Sequence, residues 1–379
     1  MKMNKIESTL LNHLSLEEFS LIKKIRREYL REKIKDNIQH WRENADYLWG
    51  KDPNKHYIDH SHRHAESLMK VTARFLYEYD NFLQLNDLEL YCLIASIWLH
   101  DIGMSPSHKE ETLDPLYVRK MHSLLSLERI KQEPKKLIRL EEEIKYIVAE
   151  ICLFHSSKTA LTESQLVKLK GSLIWDDVPR STYDIRVPYF NDVVYIRPRL
   201  LAAILRLCDA CDLGGRRISD IEIKEESIHK NLYKSWYRSE KISEKALEKD
   251  FKEVWKHYNL HKLVKDVYFK GPYILIEPRP AFSTEEKNML KRGIDELLTH
   301  DIESTVEVLK EFGVYIEDVK ILSPSEIDKI KNEYSLRFKD QSTIVENIPV
   351  SLSFELKKQP FYIAHLSPPP VPNFVNREK

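Results

Sequence analysis

The sequence predicts a mainly α protein with a small α+β portion near its C-terminus. Three observations carry this. Apolar residues recur at three- and four-residue spacing along most of the chain up to Leu213. Several of these stretches open on a capping residue or a proline and close on glycine. Strand signals occur late, in "DVYFKGPYILIEPRP" and "VYIEDVKIL".

The first ~50 residues read as helical, with Ser15 followed by Glu18 as a capping-box start. "GKDPNK" interrupts the pattern. A helix is expected from near Asp59 to Tyr79. The next spans "LNDLELYCLIASIWLHD", capped by Asn86 with Glu89 three residues on. It is apolar nearly all round, so it should be a central buried helix, closed by Gly103 and Pro106. Pro115 suits the first turn of a helix through "LYVRKMHSLLSLERIKQ", and "IRLEEEIKYIVAEICLFHSS" forms another. Residues 159–195 are mixed and loop-rich. "PRLLAAILRLCDACDLGGRRI" restarts a strong helix at Pro198 and leaves it at Gly214-Gly215. Residues 226–266 are charged and helical, then a hairpin turns at Gly271-Pro272. A single long helix is expected from Ser283 and Glu286 to Gly313. The tail with "SPPPVPNF" is too proline-rich for regular structure. No internal repeat is visible.

Composition narrows the function classes. With 379 residues and 42% hydrophobic content the chain is globular. Sixty basic residues balance sixty acidic ones, so nothing global attracts nucleic acid or an anionic membrane. No signal-peptide pattern opens the sequence, and no apolar run reaches about 18 residues, so the expectation is a cytoplasmic protein without a membrane span. Cys92 and Cys152 look like core thiols, and Cys208-Asp-Ala-Cys211 lacks the second pair of a zinc knuckle. Neither GxGxxG nor a Walker loop is present, so phosphate binding would fall to side chains or metal.

The chemistry lies in a scattered set of imidazoles and carboxylates. His64 shares a helical stripe with Leu68, Val71 and Phe75; His122 with Val118 and Leu125; His155 with Ile144, Val148 and Ile151; Asp209 with Ala202 and Leu205. The doublet His100-Asp101 sits in "WLHDIG". A lone histidine on an apolar face is more often a satisfied core residue. Four helices aiming such groups inward, plus the doublet, are explained together by one shared divalent cation. Imidazole and carboxylate without thiolate suit Mn, Fe, Zn, Ni, Co or Mg, as one ion or two. Such a site generates a nucleophile from water near neutral pH, which is hydrolytic chemistry. His60, four residues before His64, can reach the edge of the site. His62, His56 and His108 are better read as structural. Arg119 and Arg216 are candidates for phosphate recognition, Arg216 being equally well explained by a pair with Asp212, and Lys158 is a weaker candidate.

The order His64, His100-Asp101, Asp209, in "HSHRHAESL", "WLHDIG" and "RLCDACDL", resembles the HD superfamily of metal-dependent phosphohydrolases. His122 in "VRKMHS" and His155 in "CLFHSS" resemble the added ligands of binuclear members such as the HD-GYP phosphodiesterases. Ser156 stands where the second histidine of that insert is usual, and the proline-tyrosine continuation after "DACDLGGR" is missing. "ILIEPRP", a helix and "GVYIEDVKI" look like the HD branch with a characteristic C-terminal extension. The resemblance implies an HD-type helical bundle with a small α+β C-terminal extension. It implies His64, His100, Asp101 and Asp209 on a first metal, and Asp101 bridging to a second held by His122 and His155. The expected organisation is a helical segment over 1–54, an HD-type core over 55–220, an extension over 221–340 and a proline-rich tail over 341–379.

The resulting functional reading is a metal-dependent phosphohydrolase acting on a nucleotide, deoxynucleotides included, with Asp101, Arg216, Arg119 and His60 in the catalytic machinery. A cyclic nucleotide or cyclic dinucleotide phosphodiesterase, a nuclease, and a non-catalytic nucleotide sensor or scaffold are the alternatives. The neutral charge weighs against a nucleic-acid partner. A homo-oligomer, or a partner protein docked on the extension or tail, stays open.

Overall fold

The computed structural model describes residues 16–50, 59–105, 115–169, 171–187, 192–214, 230–231, 234, 243–280, 283–297 and 302–344. Among them α-helix dominates, as expected. The N-terminal helices are α1 (Leu16–Lys23), α2 (Glu28–Glu43) and α3 (Ala45–Leu48). Ile34, Ile38 and Trp41 on α2 are fully buried, at helical spacing. Trp41 meets Trp98 with ring centroids 6.3 Å apart. The N-terminal helices therefore share one core with the helices that follow. Ser15 and the Glu18 side chain, the expected capping box, lie outside the described residues.

Helices α4 (His62–Leu83) and α5 (Asp87–Leu99) come next. Asn86 Oδ1 accepts from the Leu88 and Glu89 amides, both at 3.0 Å, and Glu89 returns to the Asn86 amide at 3.1 Å, completing the expected capping box. Every residue from Leu88 to Leu99 is buried, so α5 is the central helix that its all-round apolarity predicts. Each large aliphatic side chain buried there contributes roughly 1.5–3 kcal/mol. The buried Glu89 carboxylate is matched by the Arg197 guanidinium fork, at 2.7 Å to each oxygen.

The core continues through α6 (Pro115–Gln132), α7 (Lys135–Ile138), α8 (Glu142–Leu153), α9 (Glu163–Lys168) and α10 (Pro198–Cys211). Between α9 and α10 lies an antiparallel hairpin, β1 (Tyr183–Val187) and β2 (Asp192–Ile196). The span expected to be loop-rich thus holds a short helix and two strands; β1 alternates apolar Tyr183, Ile185 and Val187 with polar Asp184 and Arg186, but β2 does not, and five residues are too few to stand out. Helix α10 packs on α4, α5 and α8, and α6 packs on α8.

The extension contains α11 (Glu244–Leu263), β3 (Val264–Lys270), β4 (Tyr273–Pro278), α12 (Thr284–Leu297), α13 (Glu303–Glu311), β5 (Asp318–Ile321) and α14 (Pro324–Ile344). The expected hairpin is β3–β4, antiparallel, turning at Gly271 with φ 53°. The expected strand is β5, parallel to β4. Of the single long helix expected from Ser283 to Gly313, the described residues hold α12 and α13, with 298–301 lying outside them; α12 packs on α11 and α13 on α10. Helix α14, which the sequence reading did not mark, runs to Ile344, past the expected start of the tail. Residues 345–379, including "SPPPVPNF", lie outside the described residues.

Extension and core are joined by buried charge. Arg74 on α4 donates to both Asp266 oxygens at 2.5 and 3.1 Å, to the Val267 carbonyl at 2.7 Å and to Glu17 on α1 at 2.9 Å. Lys70 reaches Asp266 at 2.7 Å. Tyr334 on α14 donates to the Phe269 carbonyl at 2.6 Å. No described helix is long and apolar enough to cross a membrane. Cys92, Cys152, Cys208 and Cys211 are buried and form no disulfide, as core thiols should not.

Candidate metal centre

Local structure aims each polar group at one place. Ser61 caps α4, accepting from the Arg63 amide at 3.2 Å, and Asp59 accepts from the Ser61 amide at 2.7 Å. His64 therefore falls in the first turn, facing inward beside Leu68. His60 lies just before the cap rather than on the helix, yet still reaches the site. His100 caps the C-terminal end of α5 and Asp101 follows it, so the doublet is carried inside by a helix buried from Leu88 to Leu99.

The turn after the doublet is pressed against α6. A Cβ on Gly103 would collide with the His122 carbonyl and the Ser126 amide and stand 2.8 Å from the Leu125 carbonyl carbon. Only glycine permits that approach, and Ser126 Oγ accepts from the Gly103 amide at 2.8 Å. Arg129 on α6 ties the same turn down through the carbonyls of Ile102, Leu48 at 3.0 Å and Ser105 at 2.9 Å. These contacts bring His122, on α6, to the doublet. His155 follows the end of α8, and Asp209 lies in the last turn of α10. Arg206, one turn before Asp209, grips the Phe154 carbonyl at 2.7 Å and the Thr159 carbonyl at 2.8 Å, which fixes the turn bearing His155.

All six expected ligands meet. His64 Nε2 is 3.2 Å from His100 Nε2 and 3.1 Å from Asp209 Oδ1. His100 Nε2 is 3.2 Å from Asp101 Oδ2. On the other side, His122 Nε2 and His155 Nε2 are 3.0 Å apart and stand 3.6 and 3.7 Å from Asp101 Oδ1. Asp101 thus turns one oxygen to each group. Three overlapping trios have all ligand atoms within 4.8 Å: His64–His100–Asp101, His100–His155–Asp209 and Asp101–His122–His155.

The hydrogen bonds at the far side of each ring fix its tautomer. Nδ1 of His100, His122 and His155 faces the carbonyls of Ile97 at 2.9 Å, Arg119 at 2.8 Å and Cys152 at 2.5 Å. Nδ1 of His64 faces Asp212 Oδ2 at 2.8 Å. These oxygens only accept, so Nδ1 carries the proton and Nε2 presents a lone pair. Two pairs of Nε2 lone pairs then point at each other at hydrogen-bond distance with no proton between them. That is repulsive unless a cation shares them. Ligand nitrogens about 2.1 Å from one ion, at angles of about 90–110°, stand roughly 3.0–3.4 Å apart. The donor set fits a divalent metal, which the buried cluster could bind.

Extra protons are a poor substitute. Burial pushes the His122 imidazole below its ordinary value, against the pull of Asp101. Burial, with His100 and His122 adding to it, takes His155 down to about 3. Burial alone would raise the Asp101 carboxyl, but His100 and then His60 outweigh it and hold it well below the usual carboxylate range.

The centre has a closed back and an open front. The side chains of His64, His100, Asp101 and His155 are 4% exposed or less, whereas Asp209, His60 and His122 are 25%, 22% and 21% exposed.

The remaining candidates divide. His60 Nδ1 lies 2.7 Å from Asp101 Oδ2. The Arg119 guanidinium reaches Asp250 on α11 at 2.8 Å, while its carbonyl orients His122. Arg216, His56 and His108 lie outside the described residues. The His62 ring packs near Trp49, with centroids 6.2 Å apart. Lys158 is exposed and donates to the Lys120 carbonyl at 3.4 Å. Sequence reasoning left Asp212 out of the ligand and catalytic sets, pairing it with Arg216, although "DACDLGGR" resembles an Asp-x-x-Asp…Arg ending of such sites. The buried Asp212 carboxylate instead accepts from His64 and from Ser67 Oγ at 2.6 Å. The signal was available: Asp212 is three residues after Asp209, at the same helix end. The orienting role of Arg206 was legible only as a cation on an apolar helix.

A family model described as HD-CE matches residues 55–268, from just before α4 through most of β3. No curated protein and no solved structure matches the chain. The match spans all six clustered residues and more than half of the sequence, and the chain belongs to the HD-CE family, an HD-domain-type family.

Proposed function

We propose that this chain is a metal-dependent phosphohydrolase that cleaves a phosphoester or phosphoanhydride bond of a nucleotide. His64, His100, Asp101 and Asp209 would hold one divalent ion, and Asp101, His122 and His155 a second. Bound there, such ions polarise phosphoryl oxygen and lower the pKa of water. The reading is carried by the two facing Nε2 pairs, each with its protons committed to acceptors on the far side of the rings.

The chain's own residues supply the rest. The closed back excludes water behind the ligands and strengthens every charge interaction in the centre. The open front, at Asp209, His60 and His122, is where a phosphoryl group would approach. His60 holds its Nδ1 proton against Asp101 Oδ2, and we assign its Nε2 to proton delivery at the leaving oxygen. The Arg119 carbonyl keeps His122 in the ligating tautomer, and Arg216 is assigned to phosphate recognition.

The two-sided placement of Asp101 favours a second reading within the same chemistry, a cyclic nucleotide or cyclic dinucleotide phosphodiesterase, since two ions can clamp the attacking and leaving oxygens of a diester. One experiment addresses both. Protein loaded in turn with Mn, Mg, Fe, Co, Ni and Zn is assayed against nucleoside mono-, di- and triphosphates and cyclic mono- and dinucleotides, with elemental analysis of the purified chain. Phosphate or triphosphate release supports the first reading and linearised product the second. A folded, metal-loaded protein that turns over nothing in the panel would overturn both.

A further inference from the structure

His155 lies in the turn that follows α8, whose last residue is Leu153. A turn holds its shape less firmly than a helix, so the place of this imidazole depends on what holds the turn. Arg206 on α10 holds both ends of it. Its Nη2 donates to the Phe154 carbonyl at 2.7 Å, the Thr159 carbonyl at 2.8 Å and Thr159 Oγ1 at 2.9 Å, and its Nε donates to the Phe154 carbonyl at 3.2 Å. Arg206, Phe154 and Thr159 are all buried, and hydrogen bonds from a guanidinium are strong where water is excluded. The Phe154 carbonyl belongs to the peptide that leads into His155. Asp209 follows Arg206 on α10 by three residues. One helix therefore carries one ligand and the clamp on another, and fixes the separation between them.

The guanidinium is itself held from the extension. Arg206 Nη1 donates to Ser304 Oγ, on α13, at 3.1 Å. Helix α13 packs on α10 and also grips the far end of the segment that carries His155. Gln165 Nε2 donates to the Ser304 carbonyl at 2.7 Å and to Glu307 at 3.2 Å. Glu307 also accepts from Thr162 Oγ1 at 3.1 Å and from Ser164 Oγ at 2.8 Å. Residues 154–165 are thus tied to a single helix, through Arg206 at one end and directly at the other. That helix lies beyond residue 268, where the family match ends. The groups that orient His64 and His100 come from inside the match, from Asp212 and the Ile97 carbonyl.

We infer that Arg206 is a positioning residue for His155 and that Ser304 completes it, so that α13 governs occupancy of the ion held by Asp101, His122 and His155; this rests on the two-ion arrangement proposed above and deepens it. Ligand atoms must stand within about 0.2 Å of their proper distance from an ion. A turn released from Arg206 drifts beyond that tolerance and costs the second ion a ligand. The first ion keeps His64, His100, Asp101 and Asp209.

The test is titration calorimetry of the full-length, chelated protein with Mn²⁺, with elemental analysis and melting temperature read on each variant. His155→Ala marks which binding step belongs to His155. Arg206→Lys keeps the charge and loses the fork, and Ser304→Ala, which removes only a hydroxyl, stands in should Arg206→Lys unfold. Glu311→Gln is the control, since it loosens α13 from Arg199 on α10, 2.5 Å away, without touching Arg206. The wild type is expected to bind two Mn ions per chain. Arg206→Lys should bind the first within about twofold of the wild type and the second about 10–100-fold more weakly, and Ser304→Ala should weaken the second alone by about tenfold. Glu311→Gln should match the wild type in both steps. Wild-type affinity for both ions in Arg206→Lys and Ser304→Ala overturns the inference, as does equal weakening of both ions, or a second-ion loss in Glu311→Gln as large as in Ser304→Ala. One ion per wild-type chain overturns it too and leaves a one-metal hydrolase standing. The expected split in a protein that hydrolyses nothing would keep the role of Arg206 and remove the hydrolase.

Discussion

The His64 imidazole gives its Nδ1 proton to Asp212 across 148 residues of chain, at 2.8 Å. The same carboxylate accepts from Ser67, one turn further along the helix that carries His64. Asp212 therefore fixes both the ring's orientation and its tautomer. In Asp212→Asn the amide can donate to Nδ1, which would move the ring proton to Nε2 and spoil the lone pair. Metal affinity measured by calorimetry should fall about 10–100-fold, while the chelated protein melts near the wild-type temperature. An unchanged affinity would remove Asp212 from the site.

Asp101 offers one oxygen to His64 and His100 and the other to His122 and His155. Removing it in Asp101→Ala should lower the metal content of purified protein and cut turnover by more than the roughly 100-fold that an outer partner costs. The circular dichroism spectrum should persist, because the helices are held by apolar packing. Elemental analysis of the folded variant checks this independently of any assay.

Gly103 lies where α6 leaves no room for a side chain. The obstructing atoms are backbone, which cannot swing aside. Gly103→Ala should destabilise the protein by about 1–3 kcal/mol or more and separate Asp101 from His122. Denaturant midpoints with and without metal measure the two effects, and the loss should be larger in the metal-loaded protein.

Acid sensitivity follows from His155, whose imidazole is pushed down to about 3 by burial, His100 and His122. An unfolded histidine takes its proton near pH 6.5. Between those values the unfolded chain binds a proton that the folded chain refuses. Stability of chelated protein should therefore be full above about pH 6.5 and decline as pH falls towards 3. Bound metal should steepen the acid loss, since protons then compete with the ion. Urea midpoints over that pH range decide the point.

Arg74 is 4% exposed and binds Asp266, Glu17 and the Val267 carbonyl. Arg74→Ala leaves the mostly buried Asp266 without its main partner, and Lys70 alone cannot replace the fork. The variant should lose about 3–5 kcal/mol. Because Arg74 and His64 share one helix, metal affinity read on the same variant reports whether the extension's seating reaches the centre.

The helices that carry the site were legible because apolar spacing and caps are local signals. The Asn86–Glu89 box, the all-round apolarity of the doublet's helix and the stripes behind His64, His122 and His155 all say which way a side chain faces. The paired strands before Pro198 were not legible. Two strands of five residues each are too short for alternation to stand out from a loop-rich surrounding.

From sequence alone, this protein's mainly α fold and its six converging imidazoles and carboxylates could be named, because burial of a titratable group on an apolar stripe is a one-dimensional pattern. Which oxygen of Asp101 faces which histidines, that Asp212 serves His64, and that Lys158 comes to rest on the Lys120 carbonyl were decided only in three dimensions. Those relations join residues tens to more than a hundred positions apart, and side-chain hydrogen bonds at such separations are set by how helices pack, not by the spacing within any one of them.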